Sequence, residues 1–152
     1  MKKGKFFLII FILLITACKK NSVTLDEFIT NARENAYIVE NNKSGYEDYD
    51  YIKSIYYAVN RENAYDIQFL ELVNDDYAKQ MFLINASEIK SKITDKDYVK
   101  SKSFTSFELY HAENDTNYYL VIRSNNNVIY IDAPIDYINE IEEFLEDLEL
   151  EY

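Results

Sequence analysis

The chain has a single cysteine, Cys18, so nothing that follows it can be held together by an internal disulfide. Residues 18–152 also contain only one glycine, Gly45, and one proline, Pro134. These 135 residues are enough for one domain that buries roughly two thirds of the surface of its unfolded chain. The sequence therefore predicts one domain with one hydrophobic core, stabilised by packing alone.

The segment before Cys18 has the pattern of a secretory signal. Three lysines within residues 1–5 precede an unbroken apolar run, Phe6–Ile15, and the small residues Thr16 and Ala17 lead into the cysteine. A transmembrane helix needs about 20 apolar residues, and this run would rise only about 15 Å as a helix. The remaining alternative to lipidation is an ordinary signal peptide, whose cleavage would leave Cys18 as a free thiol.

Ile15-Thr16-Ala17-Cys18 resembles a bacterial lipobox. The resemblance implies transfer of a diacylglyceryl group to the Cys18 sulfur, cleavage after Ala17, and anchoring through acyl chains such as palmitate. We therefore expect residues 1–17 to be a signal peptide and residues 18–23 to be a lipidated cysteine with a short tether. The expected location is the cell membrane or the outer membrane, with the protein lipid-anchored and facing outside the cytoplasm.

Residues 24–152 show the helix signals of one folded domain. Thr24–Glu27 has the form of a capping box and predicts the start of a first helix. Asn74 or Asp75 can cap a second helix, whose apolar stripe ends near Lys92. A closing helix is predicted after Pro134, a residue that suits a first helical turn.

Alternating apolar residues between these helices predict strands. One hairpin is predicted over residues 55–69, and a second surrounds the turn Ser124–Asn127, where asparagines tolerate positive φ. The apolar parity slips at Leu70 and Leu72, which indicates a bulge or a strand covered on both faces. The polar segment Ile93–Ser103 is predicted to be a solvated connector. Because the connections are short, the predicted fold is α+β, with a single antiparallel sheet of about five or six strands and three helices packed on one face.

The order of these elements resembles small lipoproteins of unknown function from Gram-positive bacteria, a resemblance that implies no activity. The two halves of the domain also resemble each other, because Tyr56–Arg61 and Tyr118–Arg123 share Tyr, Tyr, Val and Arg in register. This match favours an internal duplication of a helix-plus-strands unit, with chance as the alternative in a chain of 15 tyrosines.

The formal net charge of the chain is −11, and loss of the three leader lysines would take it to about −14. Nucleic acid is excluded as a partner because phosphate binding needs a surplus of lysine and arginine. A basic envelope or secreted protein is a compatible partner, whereas the simpler alternative is that acidity keeps the domain dispersed. The outward stripe of the closing helix, Glu140, Glu143 and Asp147, is the candidate docking strip, or else a solvated helix face.

The sequence contains little that could perform catalysis. His111 is the only histidine, falls at the end of a predicted strand, and is expected to be exposed to water without a role in a triad. No metal site and no cofactor are predicted, because residues 47–50 lack the spacing of an EF-hand loop and zinc usually needs several His or Cys ligands. An enzyme would need two carboxylates about 5 to 10 Å apart in a cleft, as glycosidases do.

Tyrosine supplies contact area with a polar tip and is enriched at recognition surfaces. Tyr56, Tyr110 and Tyr118 fall on the strand parity opposite the inferred core, and Tyr49 lies in the acidic loop. Together with the acidic stripe they form a candidate binding surface. The predicted function is a membrane-anchored, non-catalytic binding module of the cell envelope that sequesters or inhibits a cationic protein. The alternatives are an envelope hydrolase with paired carboxylates and a small-molecule-binding lipoprotein.

Overall fold

A computed structural model describes residues 22–150, which form three α-helices and seven β-strands. Cys18 and the predicted signal peptide lie outside the described residues. None of the helices in residues 22–150 is both long and apolar enough to cross a lipid bilayer. The helices are α1 (Leu25–Glu34), α2 (Asp75–Lys92) and α3 (Ile138–Asp147). The strands are β1 (Ile38–Asn41), β2 (Ile52–Val59), β3 (Asp66–Leu72), β4 (Tyr98–Ser103), β5 (Phe107–Glu113), β6 (Asn117–Ser124) and β7 (Asn127–Pro134).

The seven strands form one sheet in the order β1-β2-β3-β7-β6-β5-β4, and every neighbouring pair is antiparallel. The predicted α+β class and the single antiparallel sheet are therefore confirmed. The sheet has more strands than the predicted five or six, and one reason is β4, which lies within the segment predicted to be a connector. Strand β4 lies at the edge of the sheet, where its side chains are exposed or half-buried. Its sequence therefore lacks the alternation of apolar and polar residues that predicts a strand.

The helices cover both faces of the sheet, so the prediction of three helices on one face is wrong. Helices α1 and α3 pack on one face, against a core cluster that includes Phe69 and Ile131. Helix α2 packs on the opposite face, against a second cluster that includes Leu72 and Val128. We refer to these as the α1/α3 face and the α2 face.

The two-sided core follows from consecutive apolar residues in the central strands. Leu120, Val121 and Ile122 are all buried, and successive residues of a strand point to opposite faces. Both faces therefore need a cover of helices. The parity slip in β3 has the same origin, since Phe69 lies under α1 and α3 while Leu70 lies on the α2 face. The alternative of a strand covered on both faces is confirmed.

Local signals positioned the starts of α1 and α2 and the last hairpin as predicted, whereas Pro134, predicted in the first turn of the closing helix, is the last residue of β7, and α3 begins at Ile138. The Thr24 hydroxyl accepts from the Glu27 amide, and the Glu27 carboxylate accepts from the Thr24 amide at 2.8 Å. The Asn74 side chain caps α2 by accepting from the Tyr77 amide at 3.0 Å. Asn125, in the turn between β6 and β7, has a φ of 55°. Asparagine tolerates this left-handed conformation better than most residues.

The similar segments of the two halves lie at corresponding positions of the sheet. Tyr56–Arg61 begins within β2, which lies beside β3, and Tyr118–Arg123 lies in β6, which lies beside β7. The helices that precede these strands, however, pack on opposite faces. The predicted helix-plus-strands unit is therefore not repeated as one packing arrangement.

Candidate functional site

The predicted tyrosine surface is not present as a helix-free sheet face. Tyr118 is fully buried in the core under α1 and α3, and Tyr110 is 8% exposed on the α2 face. Tyr56 is half-buried, and its hydroxyl accepts a hydrogen bond from Asn41 at 2.9 Å. The expected display of these side chains is wrong because helices cover both faces of the sheet.

Tyr49 is exposed, but it lies away from the acidic stripe. Its ring centroid is 6.0 Å from that of Tyr46 and 5.7 Å from that of Tyr51, and Tyr51 stacks on Tyr77 of α2 at 5.3 Å. Tyr46 and Tyr51 pack against the core cluster of the α2 face. Because α3 packs on the opposite face, the structure does not bring Tyr49 together with the acids of α3.

The acids of α3 lie on one outward stripe, as predicted. Glu140, Glu143 and Asp147 are exposed and spaced by three and four residues. Glu140 accepts a hydrogen bond from the Tyr65 hydroxyl at 2.9 Å, and the Tyr37 and Tyr65 hydroxyl oxygens are 2.6 Å apart. Since Tyr65 donates its proton to Glu140, Tyr37 must donate to Tyr65. Burial raises the pKa of both phenols, so both tyrosines stay protonated at neutral pH, and their hydrogen bonds hold α3 against the sheet.

The end of the acidic stripe opens into a groove of about 580 Å³ between α1 and the end of α3. Helix α1 supplies Thr30, Asn31 and three carboxylates to its lining, and Asp147, Leu148 and Glu149 complete it. Among residues 22–150, no lysine or arginine lines the groove, and Leu148 is the one apolar contributor. We call this site the acidic groove; its five carboxylates belong to Asp26, Glu27, Glu34, Asp147 and Glu149.

Two asparagines hold the walls of the acidic groove at a fixed separation. Asn31, which is buried, donates from its amide to the Phe144 carbonyl oxygen at 2.8 Å and so ties α1 to α3. Asn35 donates to the Asp147 carboxylate at 3.0 Å. The groove is therefore formed by the packing of two helices rather than by loops, which favours a preformed site.

The charges at the end of α3 oppose the helix dipole. Glu146 and Asp147 lie in its last turn and Glu149 follows it, with no basic residue in that turn. The C-terminal end of a helix carries partial negative charge, so each acid there costs roughly 0.3 to 1 kcal/mol. By contrast, Asp26 and Glu27 lie in the first turn of α1, where acids are favourable. The unfavourable acids at the end of α3 are consistent with selection for something other than stability.

Sequence reasoning found one wall of the acidic groove and missed the other. Asp147 was singled out, whereas Asp26 and Glu34 were not. These two acids and Thr30 recur every four residues and so share one face of α1. That spacing was a usable signal, but the pairing of α1 with the end of α3 depends on long-range packing.

His111 is buried, so the prediction of an exposed histidine is wrong. Its ring lies 4.7 Å from the ring of Tyr118 and 5.3 Å from that of Tyr98, and the residue is 6% exposed. Glu113 Oε1 lies 2.8 Å from His111 Nε2 but not in line for a hydrogen bond. Burial and the Lys100 ammonium lower the pKa of His111 to about 4, so the imidazole is neutral at neutral pH.

Two carboxylates come together at one end of the α2 face. Asp66 precedes Ile67, whose partner Ile131 precedes Asp132, so the two aspartates lie on adjacent strands. Asp132 accepts a hydrogen bond from the Lys92 ammonium at 2.8 Å. Burial, together with the charges of Asp132 and Glu40, raises the pKa of Asp66. The pair therefore combines a carboxyl group that holds its proton more strongly with a carboxylate paired to a cation.

Within residues 22–150 no group of three or more His, Cys, Asp or Glu side chains is arranged to hold a metal ion. Comparison with known proteins found no matching family model, no similar curated protein and no similar solved structure.

Proposed function

We propose that this protein is a lipid-anchored, non-catalytic binding module of the cell envelope that captures a basic protein through the acidic groove. The main support is the groove itself, because the described part of the chain lines it with five carboxylates and no cation. A lysine- or arginine-rich segment entering the groove would meet carboxylates from two helices at once. Such an arrangement favours fast encounter and a defined position, because complementary charges steer association.

The acids at the end of α3 provide the second argument. Glu146, Asp147 and Glu149 repel the negative end of their own helix, and a bound cation would relieve that repulsion. Binding sites commonly break a local stability rule in this way, because function needs the unfavourable group. A domain whose acidity served dispersal alone would have no reason to place acids at this position.

The proposal is tested by neutralising the acidic groove and comparing it with an equally acidic surface. The groove variant carries Glu34→Gln, Asp147→Asn and Glu149→Gln. The probe is a fluorescent hexalysine peptide, and the measurement is its affinity for the full-length protein in mild detergent at low salt. We expect affinity at least tenfold weaker than for the wild type.

The matched control neutralises three exposed acids of the loop between β1 and β2, through Glu47→Gln, Asp48→Asn and Asp50→Asn. Both variants remove the same number of charges, so general electrostatic attraction affects them equally. We expect the control to weaken binding less than threefold. Equal losses in the two variants would contradict a role for the groove.

The anchor is part of the same proposal and rests on the lipobox resemblance of residues 15–18. Val23 is already fixed to the domain, since its amide donates to the Ser124 hydroxyl at 3.3 Å and its carbonyl oxygen accepts from Asn127 at 2.8 Å. The five residues after Cys18 span at most about 17 Å, so an anchored domain would sit close to the membrane. Cys18→Ala should move the protein from the membrane fraction to the soluble fraction. Continued sedimentation with membranes would contradict lipid anchoring.

A second candidate function, hydrolysis by paired carboxylates, is favoured by the Asp66 and Asp132 pair. Glycosidases use two nearby carboxyl groups in different environments as general acid and base, and here burial raises the pKa of Asp66 while Asp132 is paired with Lys92. A cavity of about 380 Å³ lies beside Asp66, and Glu40 and Tyr57 are among its other lining residues, whereas Asp132 is not. Release of soluble fragments from peptidoglycan by the wild type and not by Asp66→Asn would support this function over the first.

A further inference from the structure

A cavity of about 250 Å³ lies where three parts of the chain meet. Its lining comes from residues 35–37 after α1, from residues 60–62 in the turn between β2 and β3, and from the segment in which α3 begins. We call it the mixed-charge cavity, because the described part of the chain lines it with one cation, Arg61, and two carboxylates, Glu62 and Glu140. It shares no lining residue with the acidic groove, so a ligand here is independent of the proposed function.

A nearly buried side chain with an unused donor lines the mixed-charge cavity. Asn60 is 2% exposed, and its Oδ1 accepts from the Ala64 amide at 2.8 Å, which fixes the orientation of its side-chain amide. Its Nδ2 has no hydrogen-bond acceptor within residues 22–150, and this atom is not sealed from the surface. A buried polar group without a partner is unfavourable. An acceptor bound in the cavity would therefore satisfy the Asn60 donor.

Arg61 brings a cation to the same cavity without an ion pair. Its Nε donates to the Ala36 carbonyl oxygen at 3.1 Å, and this bond holds the guanidinium beside the end of α1. Within residues 22–150 its two terminal nitrogens have no acceptor, and no carboxylate pairs with them. A guanidinium presents a planar fork of donors that matches a carboxylate. Arg61 and Asn60 therefore offer donors to a carboxylate in the cavity.

Glu62 and Glu140 bring negative charge to the mixed-charge cavity. Glu62 accepts from the Tyr137 hydroxyl at 2.6 Å, and Glu140 accepts from the Tyr65 hydroxyl at 2.9 Å. A carboxylate can accept about four hydrogen bonds, so both retain capacity for a further donor. The end of α1 borders the cavity as well, and the C-terminal end of a helix carries partial negative charge. These groups favour ammonium groups in a ligand.

We propose that the mixed-charge cavity binds a free diamino acid of the size of lysine. The carboxylate of the ligand lies against Arg61 and the Asn60 amide, and its two ammonium groups pair with Glu62 and Glu140. One carboxylate and two ammonium groups are the complement of one guanidinium and two carboxylates. The cavity also limits the size of the ligand, because 250 Å³ is below the range of about 300 to 1,000 Å³ that drug-sized ligands occupy.

Simpler ligands of either charge type leave part of the mixed-charge cavity unmatched. A diamine has no carboxylate, so it would leave the donors of Arg61 and Asn60 unused and would bring an ammonium group near a guanidinium. An amino acid with one ammonium group would leave one of the two glutamates uncompensated. Sites discriminate most strongly when the wrong ligand leaves their polar groups unpaired. The charges of the cavity therefore select the diamino acid over both.

The test titrates L-lysine into the isotope-labelled full-length protein in mild detergent and obtains its affinity from the backbone amide signals of residues 60–62 by NMR. Three analogues each remove one charged group: cadaverine lacks the carboxylate, L-norleucine lacks the ε-ammonium, and 6-aminohexanoate lacks the α-ammonium. Each should bind about tenfold more weakly than lysine, because one charged group of the cavity stays unpaired. Absence of lysine binding at these residues, or equal binding of any analogue, would overturn the assignment.

Variants of the cavity separate this site from general electrostatic attraction. Arg61→Gln should remove the preference for lysine over cadaverine, because only lysine brings a carboxylate. Glu140→Gln should weaken lysine binding about tenfold while keeping an acceptor for the Tyr65 hydroxyl. The matched controls, Arg33→Gln and Glu47→Gln, neutralise exposed residues outside the cavity and should leave the affinity and the preference as in the wild type. Equal losses in the cavity variants and the controls would contradict a site here.

The side-chain amide of Asn60 reports directly on the carboxylate of the ligand. Its Nδ2 proton signals should shift when lysine or norleucine binds, whereas cadaverine should leave them in place. Binding of lysine with no shift of these signals would overturn the placement of its carboxylate. Lysine-dependent shifts confined to residues 26–34 and 146–149 would assign the ligand to the acidic groove instead.

Discussion

Arg123 has a fully buried side chain with a permanent charge, and its hydrogen bonds and ion pairs join the start of α2 to the sheet. Its Nε donates to the Glu108 carboxylate at 2.6 Å and its Nη2 donates to the Thr105 carbonyl oxygen at 3.1 Å. Its Nη1 pairs with the Asp75 carboxylate at the start of α2. The cluster therefore links β5, β6 and α2, and its charge is compensated from three directions.

Removing one partner from this cluster should be costly. Glu108→Ala leaves a buried guanidinium with less compensation, and we expect a loss of about 3 kcal/mol in the free energy of unfolding, measured by urea denaturation. The control is Glu71→Ala, which breaks the exposed pair with Lys53 and should cost less than about 1 kcal/mol. Comparable small losses in the two variants would show that Arg123 does not depend on Glu108.

His111 should make stability fall on acidification. Its pKa is about 4 in the folded protein and about 6.5 when unfolded, so between these values the unfolded state binds a proton that the folded state does not. Stability is complete above about pH 6.5 and should fall by roughly 3 kcal/mol as pH drops to 4. Urea midpoints from pH 7 to 4 measure this slope, and His111→Gln should lose this part of it. Parallel profiles for the two proteins would rule out the shift.

At this scale, sequence reasoning succeeded where the interaction is local. The Thr24 and Glu27 capping box, the Asn74 cap and the turn at Asn125 each involve residues within a few positions of one another. It failed for His111 and Tyr118, which are buried by residues distant in the chain. The partners of Arg123 likewise come from β5, from α2 and from the loop before β5, and no short sequence pattern predicts that cluster.

Helix α3 combines a buried apolar side with an end that is electrostatically unfavourable. Ile141, Phe144 and Leu145 are buried in the core shared with α1. The same helix carries acids in its last turn, where the helix dipole is negative, and one of them, Asp147, lines the acidic groove. Packing therefore offsets a local electrostatic cost, which is expected where an element serves binding as well as stability.

Charge reversal at the two ends of α3 should have opposite effects on stability. Glu146→Lys replaces an acid in the last turn by a base and should raise the free energy of unfolding by about 0.5 to 1 kcal/mol. Asp136→Lys, just before the first turn, should lower it by a similar amount. Thermal or urea unfolding of the two variants measures both changes. Changes of the same sign would contradict a dipole effect and remove the second argument for the groove.

The elements that the sequence predicted well are those whose pattern follows from burial on one side. The stripe of Ala78, Phe82, Ala86 and Ile89 gave α2 and its end near Lys92. Edge strand β4 was not predicted as a strand, because none of its side chains is fully buried. The central strands were predicted as strands, but the faces that the helices cover were not. Burial on both faces removes the alternation of apolar and polar residues that would indicate which face a helix covers.

At the scale of the whole molecule, acids from two helices meet in the acidic groove, which lies between α1 and the end of α3. The net charge of −11 predicted a basic partner but could not place its site. The site depends on how α1, α3 and the sheet pack, which composition does not determine.

The most direct test of the acidic groove is a map of where a cation binds. Hexalysine is titrated into the isotope-labelled full-length protein in detergent micelles, and amide chemical shifts are followed by NMR. We expect the largest shifts in residues 26–34 and 146–149, weakening as salt screens the charges, and much smaller shifts in the acidic loop 47–50. Shifts in the loop as large as those in the groove, or no localised shifts, would contradict the proposal that the groove binds a basic partner.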